Sequence, residues 1–183
     1  MGFVASSDHF STHISYANLL VPDRVTTRAD IQQAFRRRHT YASTDNIVVD
    51  FYAGETLQGG DLEAAVSPTF HVAVRGTEPI LRVELIKNNR LIYTRSPDPG
   101  VLDARVVTFS FRDSAEFGGA FNDTTMHASS QIKDWSRPET GIRPRPAVAE
   151  SYYYVRVVQS FSREKPALEG EIGWSSPIFV RRK

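Results

Sequence analysis

The sequence predicts a mainly β protein whose largest part is an antiparallel, immunoglobulin-like β-sandwich. From about residue 46 onward, apolar and polar residues alternate with a period of two, as in strands with one packed face and one wet face. About seven or eight such runs are separated by Gly, Pro, Asn and Asp. This spacing is typical of antiparallel sandwiches and barrels.

Each run has one face that we expect to point into the core. The predicted inward residues are, in chain order, Ile47, Val49, Phe51; Phe70, Val72, Val74; Leu81, Val83, Leu85; Val107, Phe109, Phe111; Tyr153, Val155, Val157; and Ile172, Trp174, Ser176, Ile178, Val180. Between two of the runs lies Asn88-Asn89. Because asparagine tolerates left-handed backbone conformations, this pair predicts a two-residue hairpin turn.

A long segment, residues 114–147, interrupts this rhythm. It is rich in Gly and Pro, yet apolar residues such as Phe117, Phe121 and Trp135 are interspersed in it. Loops longer than about 15 residues are uncommon in compact domains unless they have a function or are mobile. We expect this insertion to pack over the sandwich or against a neighbouring domain or subunit.

Residues 27–39 predict the one clear helix. Thr27 is a suitable N-cap, and Asp30 three residues later imitates a capping box. Ile31, Ala34 and Phe35 form a narrow apolar stripe at helical spacing. The basic residues 36–39 fall in the last turn, where positive charge complements the helix dipole. A phosphate or nucleic-acid patch is the alternative, but no aromatic stacking residues are interleaved with the basic run.

Composition excludes several classes of function. The chain has 183 residues, a net charge of +1 and no cysteine, so disulfides and thiolate metal sites are absent. The small charge gives no field that favours nucleic acid or an anionic membrane as a partner. No apolar run approaches the ~20 residues of a membrane span. The first residues do not resemble a signal peptide, and we expect the chain to be cut from a longer protein.

The strongest local candidate for chemistry is the segment 6–13, Ser-Ser-Asp-His-Phe-Ser-Thr-His. Carboxylate oxygen and imidazole nitrogen are both good ligands for zinc, manganese or iron. Asp8, His9 and His13 would supply the minimum for a mononuclear site with an open position. From spacing alone, a surface loop of satisfied polar residues explains the segment about as well.

Several stretches resemble the polymerase-and-histidinol-phosphatase (PHP) superfamily, in particular uncharacterised bacterial members with an appended β-sandwich. The last metal-binding segment of that superfamily resembles GFVASSDH (residues 2–9) followed by STHISY (residues 11–16). The helix and "TYAST" segment that close its barrel resemble residues 27–45. The appended sandwich resembles VELIKNN (residues 83–89), YYYVRV (residues 152–157) and WSSPI (residues 174–178). The resemblance touches most of the chain except 114–147.

The resemblance implies a metal-dependent hydrolase of phosphoesterase type. In that superfamily a distorted barrel holds two or three metal ions that activate water to attack a phosphate ester. Asp8 matches the final aspartate ligand and His9 the nearby histidine. Many members space that pair one residue apart, whereas here the two are adjacent, so either His9 or His13 is the second ligand. The implied cofactor is a divalent transition metal (Zn, Mn or Fe) in the longer protein, with an empty site in this chain as the alternative.

These expectations divide the chain into residues 1–45, a remnant of a PHP-like barrel (strand, metal-motif loop, helix), and residues 46–183, an accessory sandwich. Most ligands of the superfamily come earlier, and the chain has no His-x-His pair. The fragment should therefore not be catalytic by itself. A barrel strand without its neighbours is an exposed sheet edge. The expected partner is the missing N-terminal barrel or a second copy of the chain in a homodimer.

A different class of function stays open beside this one. Trp174, Tyr152, Tyr154 and Trp135 suit a carbohydrate-binding surface, because aromatic faces stack on sugars, although most aromatic residues of a sandwich belong to its core. The chain would then be a binding or interaction module for a carbohydrate or a protein. Exposed aromatic residues on one face would favour this hypothesis, and buried ones would count against it.

Overall fold

The predicted mainly β character is confirmed. The computed structural model of the chain describes residues 2–5, 15–21, 26–100, 103–114, 150–160 and 170–183. Of these, 55% lie in strands and 7% in a helix. The predicted insertion 114–147 falls almost wholly outside the described residues.

The described elements are one helix and twelve strands. The helix α1 is Arg28–Arg36. The strands are β1 (Tyr16–Leu19), β2 (Thr40–Ser43), β3 (Val48–Ala53), β4 (Thr56–Leu57), β5 (Asp61–Ala64), β6 (Thr69–Arg75), β7 (Ile80–Lys87), β8 (Arg90–Arg95), β9 (Val106–Arg112), β10 (Glu150–Gln159), β11 (Glu171–Ser175) and β12 (Ile178–Arg182).

The strands form two sheets. The eight-stranded sheet runs β1-β2-β11-β10-β12-β5, with β7 on the other edge of β10 and β8 beyond β7; the four-stranded sheet runs β4-β3-β6-β9. The expectation of purely antiparallel pairing is wrong at one place. β5 pairs in parallel with β12, with Leu62 opposite Val180. The connection from β5 passes through the other sheet before returning to β12, so the two strands are free to run in the same direction.

The inward faces of the two sheets share one hydrophobic core. Val49, Phe51, Phe70 and Val72 contribute from the four-stranded sheet, and the side chains that meet them from the other sheet are Val83, Leu85, Tyr153, Val155, Ile178 and Val180, all buried. The ring of Phe70 lies 4.4 Å from that of Tyr153, centroid to centroid, so the sheets are in direct contact. For these strands the period-two prediction of the inward face is confirmed.

At the start of β7 the prediction of which side chains point into the core is wrong. Leu81 was expected inside but is 45% exposed, whereas Ile80 is buried. The pairing of β7 with β10 shifts register here: Arg82 lies opposite Val158, and Ile80 opposite Gln159. The extra residue in β7 is a β-bulge, which reverses the side on which the preceding side chains lie.

The last alternating run is two strands rather than one. Ile172 and Trp174 in β11 lie half-exposed on the outer face, whereas Ile178 and Val180 in β12 are in the core. The face switches at Ser175-Ser176-Pro177. There the Ser175 hydroxyl accepts the backbone N–H of Val155, at 2.9 Å, in place of a main-chain acceptor. Pro177 has no N–H to continue the ladder, so the strand breaks and resumes with the opposite face inward.

The predicted capping box of α1 is confirmed. The Thr27 hydroxyl accepts the Asp30 N–H, and the Asp30 carboxylate accepts the Thr27 N–H in return. The helix ends at Arg36, three residues before the predicted end. Arg38 adopts a left-handed conformation with φ 61°, and the His39 N–H bonds back to the Ala34 carbonyl at 2.9 Å. This Schellman-type arrangement satisfies the last carbonyls of the helix.

The predicted apolar stripe of α1 does not face the core. Ala34 is buried, but Ile31 and Phe35 are 39% and 48% exposed, and Asp30 is buried instead. The buried Asp30 carboxylate accepts hydrogen bonds from the backbone N–H and the hydroxyl of Thr27. Helical spacing predicts which residues share a stripe, but it does not predict which side of the helix meets the sheet.

The N-terminal part of the chain joins the same sheet as the C-terminal part. β1 pairs with β2, and β2 pairs with β11, where Ala42 lies opposite Trp174. The eight-stranded sheet therefore contains strands from both sides of the predicted boundary at residue 45. The division of the chain into two parts at that boundary stays a prediction. The predicted hairpin turn is confirmed: Asn88 and Asn89 have φ of 49° and 62° between β7 and β8.

Gln58 is fully buried, yet its side-chain amide has no hydrogen-bond partner among the described residues. We expect Gln58→Met to raise the free energy of unfolding by about 1–2 kcal/mol, because an unsatisfied buried amide costs stability and methionine has a similar shape. Chemical denaturation measures the change, with Gln58→Glu as a control that should destabilise. A destabilised Gln58→Met would show instead that the amide is satisfied, for example by buried water.

Candidate functional site

The predicted metal ligands Asp8, His9 and His13 lie outside the described residues. Among the residues that the structure does describe, no three or more His, Asp or Glu side chains are grouped closely enough to hold a metal ion. What the structure places are the two flanks of the candidate segment, residues 2–5 on one side and residues 15–21 on the other.

The first flank lies across the outer face of the eight-stranded sheet. The backbone N–H of Phe3 donates to the Ser176 hydroxyl at 2.8 Å, and that hydroxyl is 3.0 Å from the hydroxyl of Thr40. The Phe3 ring packs edge-on against Tyr154, with centroids 5.5 Å apart and planes at 90°. Gly2 approaches so closely that an added Cβ would lie about 3 Å from Arg38 and Thr40. This segment is therefore fixed by a hydrogen bond and a ring contact.

The second flank is the edge strand of the same sheet. All four residues of β1 pair with β2, from Tyr16 opposite Ser43 to Leu19 opposite Thr40. The side-chain amide of Asn18 also donates to the Ser43 hydroxyl at 2.9 Å. Both sides of segment 6–14 are thus attached to one sheet, the first through Ser176 and Tyr154 and the second through β2.

The outer face of this sheet carries aromatic side chains that are half-exposed. In β10 the outward residues are Tyr152, Tyr154 and Arg156, alternating with the fully buried Tyr153 and Val155. The rings of Tyr152 and Phe179 are 6.2 Å apart across β10 and β12. Trp174 lies directly opposite Arg156 on β11. These aromatic residues were candidates in the sequence, and the structure brings Tyr152, Tyr154 and Trp174 onto one face; Trp135 lies outside the described residues.

A buried carboxylate on this face is bound by two arginines. Glu84 in β7 accepts the Arg82 Nε–H at 2.9 Å on one oxygen and the Arg156 Nε–H on the other. Its side chain is only 6% exposed, whereas those of Arg82 and Arg156 are 45% and 39% exposed. Burial alone would raise the pKa of Glu84, but the hydrogen bonds from Arg156 and Arg82 hold that pKa below its ordinary value. The carboxylate is therefore charged at neutral pH, and both of its oxygens are occupied.

Sequence reasoning missed this cluster. Arg82 and Glu84 are two apart in a strand, so they share a face, and that much could have been read from the sequence. Arg156 joins them only because β10 pairs with β7 in the register that sets it opposite Glu84.

A second polar cluster closes one end of the core. The side-chain amide of Gln159 donates to Glu171 at 2.7 Å and to Asp45 at 3.0 Å. The Thr77 hydroxyl also donates to Asp45. Burial raises the pKa of Asp45, but hydrogen bonds from Thr77, Glu171, the Asn46 backbone and Gln159 lower it overall. The cluster joins two loops, one with Asp45 and one with Thr77, to β10 and β11, which is a structural role.

The comparisons with known proteins give distant relatives and no family. The chain is similar to uncharacterized proteins of Chlamydia trachomatis serovar D and Chlamydia muridarum, each 26% identical over 161 residues, and of Chlamydia pneumoniae, 27% identical over 161 residues. Each alignment covers 84% of this chain but 21% of the relative. The chain thus spans about a fifth of the length of these curated relatives. No family model and no solved structure matches.

The helix that the structure describes is too short and too polar to cross a membrane.

Proposed function

We propose that this chain is the closing part of a PHP-like metal-dependent hydrolase, phosphoesterase in type, and that its β-rich part is a scaffold rather than a catalyst. One observation carries the proposal: the eight-stranded sheet holds both flanks of the segment with Asp8, His9 and His13. In this proposal residues 1–45 are the remnant of the barrel and residues 46–183 an immunoglobulin-like accessory sandwich.

The scaffold role follows from the physics of metal ligands. A metal site needs its ligands held close to the productive geometry by supporting contacts. Fixing the two ends of a short loop lowers the entropy that the loop loses when it binds. The Phe3–Ser176 hydrogen bond and the β1–β2 pairing supply such support on the two sides. Because one carboxylate and two imidazoles fill a single site at most, the remaining ligands of a two- or three-metal centre must come from another part of the longer protein.

The test is metal content per chain, measured by mass spectrometry on untagged protein. We expect about one transition metal ion per chain in the wild type, since one carboxylate and two imidazoles suffice for one site. Asp8→Ala should lose the ion, and His9→Ala and His13→Ala separate the two candidates for the second ligand. His71→Ala is the matched control, because His71 bonds Ser110 in the other sheet, and it should keep the ion.

Ser176→Ala tests the scaffold itself. Removing the hydroxyl leaves all candidate ligands in place but takes away the acceptor of the Phe3 N–H. We expect metal affinity to fall by about tenfold, the effect typical of lost supporting contacts. Metal retained in Asp8→Ala would contradict the proposal. Wild-type protein without metal would mean that the segment forms no site when the rest of the longer protein is missing.

A second candidate function is that of a binding module within a longer protein. It is favoured by the half-exposed side chains of Tyr152, Tyr154 and Trp174 on one sheet face, since surface aromatics stack on sugars and serve as interface anchors. A glycan array with the wild type and Trp174→Ala tests it. Binding that is lost in the variant would support this function, and no binding to any glycan would count against the carbohydrate form of it.

A further inference from the structure

The Arg82–Glu84–Arg156 cluster contains one more positive charge than the Glu84 carboxylate neutralises. Two guanidinium groups share one carboxylate, so the cluster has a net charge of +1. Each arginine donates its Nε–H to Glu84, and the Nη groups of both arginines have no partner among the described residues. An arginine fork presents its remaining N–H donors to a second planar anion, such as a carboxylate.

The geometry directs these donors toward solvent. Glu84 lies beneath the two guanidinium groups, with its side chain 6% exposed, while those of Arg82 and Arg156 are 45% and 39% exposed. Because both Glu84 oxygens already accept hydrogen bonds, an approaching anion meets guanidinium groups rather than a bare carboxylate. A cross-strand staple between β7 and β10 would need Arg156 alone, so that role leaves Arg82 unexplained.

An aromatic residue stands next to the cluster in the same row of the sheet. Arg156 lies opposite Glu84 on one side and opposite Trp174 on the other. Neighbouring strands are about 4.8 Å apart, which is close to the width of a sugar ring. A sugar ring that lies on Trp174 would therefore place a carboxylate attached to its edge near Arg156. Tyr154, two residues before Arg156 on the same face, borders this position.

We propose that this outer face binds an acidic sugar of the uronic-acid type. The sugar ring packs on Trp174, and its carboxylate accepts hydrogen bonds from the Nη groups of Arg156 and Arg82. The inference rests on the second proposed function, that of a binding module, and adds the charge class of the ligand. Neutral sugars lack the group that the arginines would recognise, and a free oxyanion such as phosphate lacks the ring that Trp174 would hold.

A matched pair of ligands tests the two parts separately. Trigalacturonic acid and its fully methyl-esterified form have the same rings, but only the first has free carboxylates. Inorganic phosphate serves as the oxyanion without a ring. Binding of each probe to the full chain is followed by amide chemical shifts and calorimetry at low and high salt.

Four variants assign the binding to residues. Arg156→Gln removes the charge, and Arg156→Lys keeps the charge but not the fork. Trp174→Ala removes the ring. Arg95→Gln is the control, a half-exposed arginine on β8 that is paired with Asp98 and lies outside the cluster. Circular dichroism establishes that each variant is folded. If Arg156→Gln does not fold, Arg156→Lys still tests whether the fork of Arg156 is needed for binding.

We expect trigalacturonic acid to bind at least about tenfold more tightly than its methyl ester, and salt to weaken the binding. Arg156→Gln and Trp174→Ala should each lower the affinity by about tenfold or more, Arg156→Lys by less, and Arg95→Gln by less than about twofold. No binding of any probe overturns the proposal. Equal binding of the acid and the ester leaves a sugar-binding module but overturns its acidic specificity. If phosphate binds as tightly as trigalacturonic acid, and Trp174→Ala does not change the affinity for phosphate, the proposal that the ligand is a sugar is overturned.

Discussion

Gly59→Ala should lower the free energy of unfolding by about 3 kcal/mol or more, the largest effect we expect from adding a single methyl group. Gly59 has φ of 91°, a conformation that residues with a Cβ rarely adopt. The added Cβ would lie 2.0 Å from the carbonyl oxygen of Arg38. Arg38 is held in a left-handed conformation at the end of α1, so its backbone cannot move away without disturbing the helix terminus, and Gly59 is held by a hydrogen bond from its N–H to the Pro177 carbonyl.

Gly54→Ala separates the two causes. Gly54 also has positive φ, at 57°, but an added Cβ meets nothing within 4 Å. We expect a loss of about 1 kcal/mol there, from the backbone conformation alone. Urea denaturation of the two variants beside the wild type measures both values. Similar losses at the two positions would show that the close approach of Gly59 to Arg38 contributes nothing.

Phe70→Ala should lower the free energy of unfolding by about 3–5 kcal/mol, because it removes a fully buried ring from the contact between the sheets. The Phe70 ring lies 4.4 Å from Tyr153 in the opposite sheet and 5.5 Å from Phe51 in its own. Its loss leaves a cavity that the surrounding strands, each held by a hydrogen-bonded ladder, fill only in part.

Phe111→Ala is the matched control, since Phe111 lies opposite Phe70 on the edge strand β9 and is only partly buried. In the wild type the Phe111 ring contacts that of Tyr93 near the rim of the core, with 4.8 Å between ring centroids. We expect a loss of about half that of Phe70→Ala, in proportion to the smaller burial. The reverse order in thermal or urea unfolding would mean that the core is centred on the β8–β9 side.

The two proposals place different demands on the same sheet face. In the hydrolase proposal, Ser176 and Tyr154 hold residues 2–5 next to the metal motif. In the binding proposal, Trp174 and Arg156 face a ligand across β10 and β11. The two sets share Tyr154, but Ser176 belongs only to the first and Trp174 only to the second, so Ser176→Ala and Trp174→Ala should affect metal and sugar binding separately.

The sequence by itself determined those elements whose cause is local. The capping box needs only Thr27 and Asp30 at the right spacing. The hairpin turn needs only two residues that tolerate positive φ, Asn88 and Asn89. Regular alternation also placed the inward faces of β3, β6 and β10 correctly, since side chains alternate in any strand without a bulge. The aromatic candidates on the outer face and the segment with Asp8, His9 and His13 were likewise visible as residue types.

Only the tertiary structure decided where alternation stops and which strands meet. The bulge at Leu81 and the break at Ser175–Pro177 reverse a face because the pairing with β10 shifts or ends there. The exposed stripe of α1 and the parallel pair of β5 and β12 depend on how distant segments pack. The same holds for the candidate sites. Phe3 reaches Ser176, and Arg156 reaches Glu84, through registers between strands far apart in the chain, which no local pattern encodes.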